Sequence, residues 1–238
     1  MAGHSKWHNI KHKKAKEDAK RGKLFTRMIR EIMIVARDGG GDTNGNARLR
    51  LLVEKSKAAN MPKENIDRAI KKGTGELEGE SLESILYEAY GPNGIAVMVH
   101  VLTDNRNRTV ADLRHFFSKN GGHMADGGSV AWMFENKGVI DIERKGLSED
   151  DLLEKLINYE IDDVHVIDED SASIICASKD LDHVRHEAEE CGISVDSAEL
   201  RWLPKEVVSV SEDASEKVYG FLDKLEDQDD VQHVYANV

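Results

Sequence analysis

Apolar side chains in the first third of the chain recur at helical spacing. Phe25, Met28, Ile29, Ile32, Met33 and Ala36 form one stripe that stops at the breaker GGGD of residues 39–42. A second stripe, Leu49, Leu52, Val53 and Ser56, begins near Asn46; Pro62 then opens a shorter helix that Gly73 closes. Ahead of these, residues 1–23 carry only Trp7, Ile10 and scattered alanines as apolar groups and read as a basic arm with a helix. A small helical bundle is therefore predicted for the N-terminal part.

The period changes after GTGELEG, residues 73–79, which reads as a linker. SILYEAY alternates, GPNG is a turn, and IAVMVHVL is a near-continuous apolar run, so the three together predict a hairpin. Helical spacing returns at Val110, Leu113, Phe116 and Phe117. Strands are expected at residues 129–134 and 139–142, followed by a helix holding Leu152, Leu153, Leu156 and Ile157, strands at HVI and SIICA, and a helix over 181–191. SVDSAELRWL and VVSV read as strands, Val218, Phe221, Leu222 and Leu225 as a helix, and VQHVYANV as a last strand.

This order predicts an α+β chain: an N-terminal helical bundle followed by two ferredoxin-like βαββαβ domains, one inserted in the other. The contiguous domain spans about 139–203, and the split one has a βαβ at 95–134 and its second half at 207–238. Domains are expected at 1–76, at 80–134 plus 205–238, and at 137–204.

Charge sharpens the picture. The chain of 238 residues has a net charge of −12, which taken as a whole opposes phosphate binding. Residues 1–75 nevertheless hold 19 Lys and Arg against 8 acids, a net of +11, and residues 76–238 a net of −23. Such a division points to nucleic acid at one part of the chain. The candidate contacts are Lys6, Trp7, Lys11, Lys13, Lys14, Lys16, Lys20, Arg21, Lys23, Arg27, Arg48 and Arg50, with Trp7 either a stacking ring or a core side chain. Arg106 and Arg108, in DNRNRT of residues 104–109, offer a second anion or RNA contact, or simply a helix cap. Helices two and three also admit a helix-turn-helix reading, although their glycine-rich connection is longer than the usual tight turn.

Other chemistry finds little support. His4, His8 and His12 share one face of any continuous helix, but flanking lysines oppose a cation and no carboxylate joins them, so no metal or other cofactor is expected. No glycine run is followed by the lysine and hydroxyl of a phosphate loop. Asp112, His115 and His123 are the densest titratable set without any fixed nucleophile and base pairing, so no catalysis is expected. With no leader-like or membrane-length apolar run and only Cys176 and Cys191, a cytoplasmic setting without membrane contact is expected.

Several long blocks carry a resemblance: GHSKWHNIKHKKAKEDAKRGK, MPKENIDRAIKKGTGE, YEAYGPNGIAVMV and LTDNRNRTVADLRHFFSKNGG followed by GSVAWMF. Over almost the full length the chain resembles the YebC-like family, which includes the mitochondrial translational activator of cytochrome oxidase subunit one. The resemblance implies a helical N-terminal domain, two α+β domains and a probable transcriptional regulator that binds DNA. The alternative it implies is a translation factor that binds RNA on the ribosome. Matching the family's basic opening are His4, Lys6, Trp7, Lys11, Lys14 and Arg21, and its second block corresponds to Asn105, Arg106, Asn107 and Arg108. The acidic domains are then expected to meet a protein partner.

Overall fold

In the computed structural model, which describes residues 18–78, 81–156 and 159–238, the first apolar stripe folds as α1 (Asp18–Gly39). It ends where Gly40 takes φ of 85° and returns its amide to Ala36 O at 2.9 Å, a left-handed turn that glycine enters without Cβ strain. Helix α2 (Ala47–Ala58) starts at Asn46, whose carbonyl accepts the Leu49 amide at 3.0 Å. The same side chain donates to Val35 O at 3.1 Å and Gly40 O at 2.9 Å, so one buried asparagine fixes the end of α1 to the start of α2. Helix α3 (Lys63–Gly73) follows, with Pro62 just outside as its cap residue. Met28, Ile32, Val35, Leu49, Leu52, Val53, Met61 and Ile66 form the bundle core. Gly73 lies against α1 so closely that a Cβ there would stand 2.4 Å from Met33 O.

The hairpin forms as expected: β1 (Glu83–Tyr90) and β2 (Ala96–Thr103) pair antiparallel from Glu83 opposite Thr103 to Tyr90 opposite Ala96. A 3-10 turn over Pro92–Gly94 joins them. Helix α4 (Arg106–Lys119) leads to a two-residue strand, β3 (His123–Met124), on the far edge of β1. The chain rejoins this sheet at its end through α7 (Glu212–Glu226) and β8 (Val231–Ala236), giving the order β3-β1-β2-β8. One sheet face is covered by α4 and α7, with Val97, Val99, Val101, Leu113, Phe117, Phe221, Leu222 and Leu225 in the core.

Between them lie β4 (Phe134–Glu143), α5 (Glu149–Leu156), β5 (Ile161–Val166), β6 (Ser171–Ala177), α6 (Leu181–Glu190) and β7 (Ser194–Pro204), with strand order β5-β6-β4-β7. Glu135–Leu203 is one compact unit, and the described part of the chain up to Phe134 together with Pro204–Val238 is the other. Inside the first of these, Asp141 is buried and accepts from Ser173 and Ser197 at 2.7 Å each and from both terminal nitrogens of Arg201. Burial alone would raise this carboxyl, but the Arg201 charge and these hydrogen bonds outweigh it and pull it down to about 2.

The strand expected at 129–134 is absent, while the one expected at 139–142 forms within a longer strand. Residues 139–142 are the middle of one long β4, and residues 129–133 form a turn ending in a 3-10 segment (Ala131–Met133). The cause is Glu88, whose carboxylate accepts the amides of Gly128, Val130 and Ala131 at 2.7, 2.6 and 2.8 Å, occupying donors that a ladder would need. VVSV likewise stays outside the sheets, with Val208 N to Asn237 O at 2.7 Å as its tether and Val207 and Val208 exposed. The split domain therefore opens on a hairpin and runs ββαβ, then αβ, in place of the two βαβ halves expected from the pattern.

Candidate nucleic-acid interface

Of the candidate contacts, Lys6, Trp7, Lys11, Lys13, Lys14 and Lys16 lie outside the described residues, as do His4, His8 and His12. Lys20 and Arg21 are described only as backbone of α1. The rest divide into cations that face water and cations turned inward.

Lys23, Arg27 and Arg30 recur on one stripe of α1, three and four residues apart, and all three meet the acidic turn between α7 and β8. Lys23 donates to Asp227 O and stands 3.9 Å from the Asp227 carboxylate, and Arg27 donates to Glu226 O. Arg30 reaches Asp229 O at 3.0 Å, Leu102 O at 3.3 Å and Asp230 Oδ1 at 3.2 Å. Desolvation lowers the Arg27 pKa, and the charges of Glu226, Asp227 and Asp229 recover part of that loss. Its Nε is buried without a hydrogen-bond partner among the described residues.

Asp230 is the hub of this junction. Its Oδ2 accepts from Thr109 at 2.7 Å, Arg108 at 3.1 Å and Thr103 at 3.3 Å. Burial would raise this carboxyl, yet the Thr109 and Arg108 hydrogen bonds and the charges of Arg108 and Arg30 hold it below the usual carboxylate range. Arg108 also pairs with Asp104 at 2.6 Å. Asn105 caps α4, accepting the Arg108 amide at 3.1 Å while its own amide donates to Thr103 at 2.9 Å. DNRNRT thus ties β2, α4, α1 and the α7–β8 turn together, and Arg106 remains on the exposed surface of the first helical turn.

On α2 and α3, Arg48, Lys57, Lys63, Arg68 and Lys71 are exposed. Arg48 stands 3.8 Å from Glu31, and Arg50 is half-buried and donates to Thr43 O at 3.1 Å. The sequence pattern singled out Lys23, Arg27 and Arg108 by charge alone; it gave no sign of Asp230, which stands in an acidic run that reads as a solvated turn. Among the described residues no group of three or more His, Cys, Asp or Glu is placed to hold a metal ion. No helix among them is long and apolar enough to cross a membrane.

Residues 5–76 match the TACO1/YebC protein N-terminal domain, and residues 82–238 match the TACO1/YebC second and third domain. A protein of Persephonella marina named a probable transcriptional regulatory protein is 52% identical over all of this chain and 95% of its own length. A protein of the same description from Dehalococcoides mccartyi is 52% identical, over all of this chain and 94% of its own. The crystal structure of a conserved hypothetical protein from Aquifex aeolicus superposes with a TM-score of 0.87 at 48% identity, covering 96% of this chain and 94% of that one. With both domain families matched in order and half of all positions identical to full-length relatives, this chain belongs to the TACO1/YebC family.

Proposed function

We propose that the chain is a nucleic-acid-binding regulator of gene expression that grips phosphates, those of DNA in the first instance, through its basic N-terminal part. The observation that carries this reading is the division of charge, +11 over residues 1–75 against −23 over the remainder. The relatives' description as probable transcriptional regulatory proteins supports it.

Within the basic part the load is uneven. Lys23, Arg27 and Arg30 answer the chain's own acidic turn. Phosphate contact is therefore assigned to Lys6, Lys11, Lys13, Lys14, Lys16, Lys20 and Arg21, extended by the exposed cations of α2 and α3 and by Arg106. Such contacts release counterions and supply affinity with little sequence information, so log affinity should fall with log salt by roughly 0.7 to 0.9 per phosphate met. The reading is non-enzymatic and cytoplasmic, with the acidic domains meeting protein. Strand order β5-β6-β4-β7 supports a ferredoxin-like βαββαβ module for about 137–204, inserted between 80–134 and 205–238.

Crosslinking the protein in cells and sequencing the recovered nucleic acid tests the target. Promoter DNA is the expected yield; ribosomal RNA without promoter DNA would replace transcription by translation on the ribosome. Replacing Lys11, Lys13, Lys14 and Lys16 by Glu should abolish binding with folding intact, and undiminished binding would remove the arm from the interface.

A further inference from the structure

The turn that displaced an expected strand also builds a display surface. Glu88 holds three loop amides, those of Gly128, Val130 and Ala131, and the next side chain is Trp132. It is 64% exposed, more than any other large apolar side chain among the described residues. Its indole Nε1 donates to Ser129 O at 3.0 Å, and the Tyr90 hydroxyl donates to the same oxygen at 3.2 Å. The ring's single polar group is therefore satisfied in place. What remains for a ligand is a fixed π face and a hydrocarbon edge.

We propose that Trp132 is the anchor of a docking surface for a basic polypeptide segment, whose arginine or lysine stacks on the indole face. Charge selects this occupant. Within the compact unit that carries the ring, the α+β part, residues 81–134 with 204–238, holds 14 acidic against 7 basic side chains. Exposed Asp126 belongs to the same turn, its carbonyl accepting the Ser129 amide at 3.1 Å. Lys205 reaches this edge, its amide on Met133 O at 2.9 Å, and exposed Glu206 follows it directly. A nucleobase would stack on an indole as readily, but its phosphates enter a negative field. A guanidinium gains from the ring quadrupole and from that field together. Trp132 is not among the residues assigned to phosphate, so either reading can fail alone.

Titration of the full chain, labelled with nitrogen-15, follows the indole signals of its three tryptophans, with Trp132→Phe assigning the one of interest. An oligo-arginine peptide should shift the Trp132 signal. Its affinity should drop roughly two- to five-fold in Trp132→Ala, the effect of an exposed cation–π contact, and by less in Trp132→Phe. An unmoved Trp132 signal in the native chain, or equal peptide affinity in native and Trp132→Ala chains, overturns the proposal. So does a shift produced by oligothymidine and not by the peptide, which would make the ring a base platform.

Discussion

Replacing Asp230 tests whether the DNRNRT block is a structural junction. Its carboxylate accepts four donors: Arg30 at 3.2 Å on Oδ1, and Thr109, Arg108 and Thr103 at 2.7, 3.1 and 3.3 Å on Oδ2. In Asp230→Ala the two arginines lose least, because Arg108 is 45% exposed and keeps Asp104, and Arg30 keeps Asp229 O and Leu102 O. The buried hydroxyls lose most. Thr109 and Thr103 stand 2.8 Å apart and can satisfy one another only in part. Hydrogen bonds to a charged group contribute roughly 1.5 to 3 kcal/mol each, and the discounted sum puts Asp230→Ala at about 2 to 4 kcal/mol. Urea unfolding followed by circular dichroism should show a lowered midpoint at unchanged slope. Double-mutant cycles then rank the partners: coupling of Asp230→Ala with Thr109→Val should exceed that with Arg108→Ala, which should stay near the exposed-pair value of about 0.5 to 1 kcal/mol. Because the Asp230 pKa is depressed on folding, its stabilisation is complete above the unfolded value near 3.9 and is lost as pH falls through the folded one. A cost of Asp230→Ala below about 0.5 kcal/mol, within the usual surface range, would refute the junction.

Burial, with the Arg48 charge as a smaller cause, lowers the His100 imidazole to about 4. Its stabilisation is then full above the unfolded value near 6.5 and is lost as pH falls toward 4. By linkage that loss is about 2 to 3 kcal/mol at pH 4.5, and a His100→Gln variant should show a correspondingly flatter profile of urea midpoint against pH. Gly73→Ala should cost about 1 to 3 kcal/mol, since the new Cβ would stand 2.4 Å from Met33 O, with the loss read as a lower melting temperature. Arg201→Ala strands the buried Asp141 carboxylate and should cost about 3 to 5 kcal/mol. Hydrogen exchange should locate that loss in residues 135–203; uniform loosening of the chain would contradict it.

What could be read from the chain, and what could not, follows from the range of the interactions involved. Amphipathic stripes and caps are local, so α1, α2 and the β1–β2 hairpin follow from Phe25 to Ala36, from Asn46 and from GPNG. The missing strand at 129–133 depends on Glu88, some 40 residues earlier in sequence, and in SILYEAY that glutamate looks like any outward-facing residue. Charge is the least local signal of all. A lysine or arginine in a basic segment reads as a phosphate contact until its partner is known, and the partners of Lys23, Arg27 and Arg30 lie about 200 positions away in DQDD and the residues before it. The same net charge thus has two uses. In α1 it fastens the helix to the acidic turn, where matching the chain's own anions leaves little for another polyanion. In the arm before α1 no such count of internal acids exists in the sequence, only Glu17 among five lysines. The salt dependence of binding should therefore drop when arm lysines are replaced and barely change for Lys23→Gln, and equal slopes for the two would mean that the Lys23, Arg27 and Arg30 stripe of α1 also meets phosphate.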